Sequence, residues 1–412
     1  MEFRLSAEQE LFKNTLREHC EKYIEPISRE IDDKEAGIPD PVIKGLADLG
    51  VYGLTIPEKY GGSAPEGEEA TYANIAIQEI ARAEMSMALP VYTLLCLGWG
   101  YLIAKYGTEQ LKQEVLPKVA KGEYFLGINT TEPGGGSDVA NIKTTGAFKD
   151  GRLIINGEKA YISGVLESFV QRDGGHITLV RTDPNAGHKG FTFVFIPARL
   201  PGTGQIRPGI SYTTYQDIGR MALSTGGFTY KDVEVPEYCV MGQVNRGFYL
   251  NMEGFNFARI LVSAACVGMA ERALELSRDY VSKRMMFGQP LAKFEGISFE
   301  IAEDHASLEQ LKMYLQYAAW ATDTAYKEPG FMTHRQLSRI ISICKMEAPV
   351  LAAEITRRCM MHHGAFGFTK DCPLGRGLRG VMSYVVGAEG GYHIQKLIIA
   401  REFIGDVAVP YR

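Results

Sequence analysis

The sequence predicts a mainly α protein with a central β-domain: an N-terminal helical domain, a small β-barrel or sandwich, and a C-terminal four-helix bundle. Three observations carry this expectation. The chain has 412 residues, too many for one ordinary core, so two or three subdomains are required. Apolar residues recur near the helical period from 7 to about 120 and again from about 244 onward. Between these regions, short β-branched and aromatic runs alternate with turn residues. The domains are drawn at 1–121, 122–243 and 244–412.

In the first helix Phe12, Leu16, Tyr23 and Ile24 mark the apolar face, with acidic residues between them. Pro26, Pro39, Pro41 and Pro57 punctuate the chain beyond that helix. A Gly/Glu-rich loop at 61–69 precedes a helix over 71–83, and residues 85–100 are apolar or small and free of charge. In the β region the runs 152–155, 176–180 and 191–196 read as strands. They are separated by turns at 149–151, 156–157 and 183–185. Four long apolar-striped segments, 245–283, 292–327, 335–365 and 381–404, then predict the bundle, with breaks at 288–290 and 328–330.

Composition narrows the function classes. Hydrophobic residues make up 45% and charged residues 23%, ordinary values for a soluble globular chain. Net charge is -5 and no Lys/Arg-rich block occurs, which argues against nucleic acid as a partner. Seven cysteines are scattered singly and no CxxC is present, so neither a disulfide framework nor a zinc site is indicated, and a cytoplasmic setting fits. The N-terminal MEFRLSAEQELF is amphipathic and acidic rather than an apolar signal, and no membrane span is expected.

Two stretches carry chemistry. Near the C-terminus, Glu389 stands between Gly387 and the pair Gly390 and Gly391, and an apolar run comes after it at 397–400. Bare backbone on both sides lets a ligand approach the carboxylate, which makes Glu389 a candidate base. The same stretch reads equally as a helix start, where a Glu favours the positive dipole end. Upstream, residues 127–139 (GINTTEPGGGSDV) hold three consecutive glycines flanked by hydroxyl residues, so backbone N–H groups can face an anion or a polar ring edge. Three glycines alone make an ordinary turn. The longer pattern Thr-Glu-Pro-x-x-Gly-Ser-Asp, at 131–138, is far more specific.

The chain resembles the acyl-CoA dehydrogenases, flavoenzymes that oxidise acyl-CoA thioesters to enoyl-CoA. The likeness runs through 46–62 (LADLGVYGLTIPEKYGG), 130–138, 155–163 (INGEKAYIS), 228–242 (FTYKDVEVPEYCVMG), 284–293 (RMMFGQPLAK) and 389–402, in the family's order. It covers nearly the whole chain. It implies FAD as cofactor, an acyl-CoA substrate, an electron-transferring flavoprotein as acceptor and a homotetramer.

The resemblance also implies roles for particular residues. FAD contacts fall to Ile128, Thr130, Thr131, Gly136 and Ser137, to Tyr161, Ile162 and Ser163, and to Gly391 and His393 beside the base. Tyr161 stands where the family usually has Trp, and Ser163 where it has Thr near flavin N5; both keep the chemical type. Arg284 and Phe287 are implied to reach FAD bound mainly to a neighbouring subunit, and an Arg fork suits a pyrophosphate. Met361, Gly364 and Ala365 fall on the family's Gln-x-x-Gly-Gly stretch, with Met and Ala as departures. The adjacent His362 and His363 lack metal-ligand spacing, so no metal is expected. Substrate contacts fall to Ser137, Asn256, Arg259 and Gly390, with Asn256 replacing the usual Asp. Ala258 occupies the position where some relatives carry the base, which leaves Glu389 as the candidate.

The reaction so implied removes an α-proton and delivers the β-hydrogen as hydride to flavin N5. Enolate charge needs preorganised donors at the thioester oxygen, and water exclusion should raise the Glu pKa from about 4.3 into the range useful for a base. The uncharged wall at 85–100 predicts an apolar acyl group without a distal carboxylate, unless an Arg from elsewhere, such as Arg220, reaches in. Gly391 in place of a usual Thr points to a branched or ring-bearing acyl group. Competing readings are an acyl-CoA oxidase, an enoyl-CoA reductase running the chemistry backward, a dehydrogenase of dicarboxylic or aryl-substituted acyl-CoA, and a non-catalytic scaffold. Retention of Glu389 argues against the last.

Overall fold

A computed structural model describes residues 4–34, 37–63 and 66–409. The first three residues of the N-terminal segment, two of the expected loop at 61–69, and the last three of the C-terminal region lie outside the described residues.

Six helices come first: α1 (Ala7–Tyr23), α2 (Ser28–Lys34), α3 (Asp40–Asp48), α4 (Glu69–Ala83), α5 (Ala88–Tyr106) and α6 (Glu109–Ala120). A capping box between Ser6 and Gln9 starts α1. Its inner face is Leu16 and Cys20, continued by Ile24. Tyr23, expected on that face, is 53% exposed. Steps of four from 16 to 24 carry the buried stripe around the helix toward Ile24, which stands a hundred degrees from residue 23. No side chain of its own segment caps α4. Asp323 does so from a distant helix, accepting the N–H groups of Ala70 and Thr71 at 2.8 and 3.0 Å. Helix α5 is long and apolar enough to cross a membrane, but 89% of its apolar 18-residue window is buried in the fold, as in a core helix.

The strands are β1 (Tyr124–Asn129), β2 (Thr145–Lys149), β3 (Arg152–Ser163), β4 (Asp173–Arg181), β5 (Phe191–Pro197), β6 (Ile210–Tyr215), β7 (Thr225–Pro236) and β8 (Val240–Met241). One group runs β6-β7-β3-β2 and the other holds β1, β4, β5 and β8. They meet at a single pair, Thr145 with Arg181. The long β3–β7 ladder contains two register shifts, the second between Ala160 and Ile162. That bulge turns Tyr161 into the left-handed region at φ 58 and leaves its ring 72% exposed, facing away from the sheet core.

The remaining helices are α7 (Gly247–Lys283), α8 (Glu295–Lys327), α9 (His334–His362), α10 (Leu374–Val386) and α11 (Tyr392–Ile404). The expected fourth bundle segment, 381–404, is therefore two helices. Gly387 ends α10 in extended backbone, Gly391 starts α11, and residues 388–390 all take positive φ. Helix α10 buries Leu374, Val381 and Tyr384, whereas α11 buries Gln395 and leaves its apolar residues partly exposed; the glycines marked the interruption.

Ion pairs brace each helical region, and one of them joins α4 to α7. Arg17 of α1 meets Glu79 of α4 at 2.7 Å, Arg82 of α4 meets Glu275 of α7 at 2.8 Å, and Lys312 of α8 meets Glu271 of α7 at 2.9 Å. Helices α4 and α7 approach so closely that a Cβ at Gly268 would stand 2.1 Å from the carbonyl oxygen of Gln78. An alanine there gains about 1 kcal/mol of helix propensity, but the obstacle is backbone and cannot rotate away. Overpacking costs about 1–3 kcal/mol. Because the 2.1 Å approach is to backbone, the cost sits at the upper end of that range, and Gly268→Ala is expected to destabilise the protein by about 2 kcal/mol net, about 3 less about 1. Urea unfolding checks this, and an unchanged or raised midpoint would contradict the close approach.

Candidate active site

A cavity of about 880 Å³ opens between the β-domain, α5, α7 and the α10–α11 break. The α5 wall contributes Val91, Leu94 and Leu95. From the β-domain come Ile128, Thr130, Thr131, Gly136 and Ser137, then Tyr161, Ile162 and Ser163. Arg259 arrives from α7, and Glu389, Gly390 and Gly391 from the break.

The loop after β1 is held by its own glutamate. Glu132 accepts the N–H groups of Lys143 and Thr144 at 2.6 and 2.9 Å and the Thr144 hydroxyl at 2.6 Å. Lys159 of β3 donates to Glu132 at 3.1 Å and to the Thr130 carbonyl at 3.2 Å. Burial pushes the Lys159 pKa down to about 8, against the pull of Glu132. Burial also opposes charge on Glu132, yet Lys159, the Thr144 hydroxyl and the backbone donors hold its pKa below the ordinary value. So anchored, the loop offers Thr131, Gly136 and Ser137 to the cavity.

Glu389 sits in a strained backbone. Ala388, Glu389 and Gly390 have φ of 55, 45 and 93, and such a conformation costs a non-glycine residue on the order of 1–3 kcal/mol. The surroundings over-determine it. Arg259 Nε donates to the Glu389 carbonyl at 2.9 Å, and Gln395 Nε2 donates to the Gly390 carbonyl at 2.7 Å. Glu389 is half-buried at the cavity, and its Oε2 is buried with no hydrogen-bond partner. Burial raises its pKa above the ordinary carboxylate value; Lys345, Arg259 and Arg220 pull the other way. A carboxyl freed of partners and shifted upward is suited to take a proton from a ligand.

The structure separates some expected site residues from this cavity. Asn256 is buried and off the cavity wall. Its Oδ1 accepts from Arg259 Nη1 at 2.8 Å, and its Nδ2 donates to Ser338 at 2.7 Å. It orients Arg259. Arg259 in turn spends its Nε on the Glu389 loop. Arg284, Phe287, Met361, Gly364, Ala365 and His393 also stand off the cavity wall. Phe287 is 90% exposed and Met361 64%.

Sequence reasoning underweighted three residues. Arg220 lines the cavity at φ 59 with its Nε buried and unpartnered, and Arg379 lines it as well. The uncharged 85–100 wall is thus faced by cations from other elements. Lys345, nearly fully buried on α9, lies behind the Glu389 loop. A lone lysine among apolar neighbours was its signal in the sequence.

The adjacent histidines have structural partners. His362 Nδ1 is 2.7 Å from the Ser277 hydroxyl and its Nε2 is 3.1 Å from Glu300; His363 Nδ1 is 2.7 Å from the Cys359 carbonyl. The Ser277–His362–Glu300 chain has the composition of a hydrolytic triad. Ser277 is wholly buried within α7 and lines no described cavity, so no substrate reaches it. Among the described residues no group of three His, Cys, Asp or Glu could hold a metal ion.

Hydroxyls at Thr131, Ser137 and Ser163 line the same cavity as the outward ring of Tyr161, with bare backbone at Gly136. A flat ring with polar edges fits such a wall, as a flavin requires.

Comparison with known proteins gives three consecutive family matches. Residues 6–123 match the acyl-CoA dehydrogenase N-terminal domain, 127–233 the middle domain and 245–404 the C-terminal domain. Acryloyl-CoA reductase (NADH) of Anaerotignum propionicum is 30% identical over 98% of this chain and 96% of its own. The short-chain-specific acyl-CoA dehydrogenase of Clostridium acetobutylicum is 30% identical over 97% of this chain and 99% of its own. Among solved structures, the glutaryl-coenzyme A dehydrogenase–glutaryl-CoA complex superposes with a TM-score of 0.89 at 28% identity, covering 98% of this chain and 97% of that one.

Proposed function

Because the chain belongs to the acyl-CoA dehydrogenase family, an FAD-dependent family of oxidoreductases acting on CH–CH groups, we propose that it interconverts an acyl-CoA and its 2-enoyl thioester with Glu389 as the base. The observation that carries this reading is the buried Glu389 Oε2, unpartnered and at the cavity. FAD, when bound, supplies the acceptor for the β-hydrogen as hydride. Glu389 takes the α-proton. Arg259 and Gln395 hold the loop so that the carboxyl does not swing away. Thr131, Ser137 and Ser163 would offer hydroxyls to the flavin edge, and the exposed Tyr161 ring would pack against the flavin. The acyl chain excludes water along Val91, Leu94 and Leu95.

Electrons pass to an electron-transferring flavoprotein in this reading. The opposite direction uses the same groups, with protonated Glu389 donating to the α-carbon. The similarity to acryloyl-CoA reductase favours keeping it as the second reading. Burial shifts the Glu389 pKa upward, toward the protonated form that this direction uses. All seven cysteines are buried free thiols, which suits a reducing cytoplasm.

Glu389→Gln is expected to retain FAD and bind acyl-CoA, yet lose flavin bleaching by at least about 10²–10⁴-fold. In the wild type, bleaching should rise with pH as the carboxyl ionises, with its midpoint above the ordinary glutamate value, since burial favours the protonated form. Anaerobic stopped-flow measures both. Wild-type rates in Glu389→Gln would assign the base elsewhere.

The acyl group is expected to be apolar, in keeping with the α5 wall. A panel of straight, branched and ring-bearing acyl-CoAs with an artificial electron acceptor tests this. Faster turnover of a dicarboxylic monothioester than of its monocarboxylic match would instead assign the acyl end to Arg220.

Exposed Phe287, Phe368, Phe403 and Val407, each at least 83% accessible, leave an apolar surface that oligomerisation would cover. A homotetramer with Arg284 and Phe287 reaching a partner's FAD is expected. Light scattering of the holoenzyme checks it, and a stable FAD-bound monomer would exclude it.

A further inference from the structure

We propose that Lys345 is a positioning residue for the base: its ammonium ties the carbonyl end of α10 to α9 and thereby sets both the place and the charge of the Glu389 carboxyl. The inference rests on the reading of Glu389 as base.

Lys345 stands near the middle of α9 and is 1% exposed. Its Nζ donates to the Tyr384 carbonyl at 2.7 Å and to the Gly387 carbonyl at 3.3 Å. Those oxygens belong to the last turn of α10 and its cap, where carbonyls lack intrahelical partners and the helix dipole is negative. Glu389 is two residues further on. The clamp therefore fixes the point from which the strained loop departs.

Two carbonyls could be satisfied by a neutral donor, without the cost of a desolvated charge. That cost is visible: burial pushes the Lys345 pKa down to about 8, despite the opposing influence of Cys266 and Glu389, with Arg259 adding to the fall. The charge has a second use at the carboxyl. Three cations face Glu389, namely Lys345 from α9, Arg259 from α7 and Arg220 from the segment before β7; Tyr384 of α10 is the other titratable neighbour. Among the three, Lys345 is the strongest influence in favour of the ionised form. Its two hydrogen bonds go to main-chain oxygens, and Arg259 likewise bonds the Glu389 carbonyl. The carboxyl is therefore stabilised through space while Oε2 stays free to accept a proton. A direct ion pair would occupy the oxygen that the reaction needs.

Without the Lys345 charge, Glu389 holds its proton more tightly and ionises only at higher pH. Infrared difference titration of the FAD-loaded enzyme reads this directly, with the Glu389 carboxyl band identified by subtracting Glu389→Gln. Lys345→Gln keeps a donor and removes the charge; Lys345→Arg keeps the charge. The midpoint should rise by about one pH unit or more in Lys345→Gln, tenfold or more in proton affinity, and stay near wild type in Lys345→Arg. A carboxyl band that ignores Lys345→Gln overturns the proposal, whatever happens to stability. Failure of the base assignment looks different: Glu389→Gln would bleach the flavin normally while the infrared midpoint still tracked Lys345.

Discussion

A carboxyl oxygen left without a partner in a buried site is costly, and the α10–α11 break is organised around one. Most buried polar atoms in a folded protein are hydrogen-bonded. Glu389 Oε2 is not, and its backbone is left-handed as well. Both penalties persist because neighbouring elements fix the loop at its carbonyls: Lys345 from α9 on Gly387, Arg259 from α7 on Glu389, Gln395 from α11 on Gly390. All three bonds hold the main chain and leave the acid free.

Those anchors in turn depend on the packing of the helices. Helix α7 can present Arg259 to the loop only if it is held against α4, where Gly268 removes the side chain that would force the backbones apart. Helix α5, buried through almost its whole length, supplies the apolar wall opposite. Across the cavity the β-domain uses a second buried pair, Lys159 with Glu132, to hold the glycine loop, and a bulge to turn Tyr161 outward. The site thus has two rigid halves, each positioned by a lysine whose charge is buried.

This division separates residues that meet a ligand from residues that hold them. Arg259 lines the cavity and also holds the Glu389 loop; Asn256 bonds Arg259 and stands off the cavity wall. Glu132, the most distinctive residue of the Thr-Glu-Pro motif, is an anchor. A motif can therefore be specific because it builds a loop, while its plainer neighbours Thr131, Gly136 and Ser137 face the cavity.

Much of the fold was legible because local patterns set it. Helical periods, turn residues and a change of β-branched content placed the helical, β and helical regions, and the glycines around Glu389 marked a ligand-accessible carboxylate. Other features depended on through-space partners. The split of the 381–404 segment comes from three consecutive positive φ values that Lys345, Arg259 and Gln395 stabilise, and no window of sequence contains those three together. The outward aim of Tyr161 comes from a register shift against β7. The presence of Arg220 in the cavity comes from a loop far from the uncharged stretch that suggested an apolar site. Residue types and spacing determine which groups are available. Burial and the field of distant charges determine which of them is left free to react, and those exist only once the chain is packed.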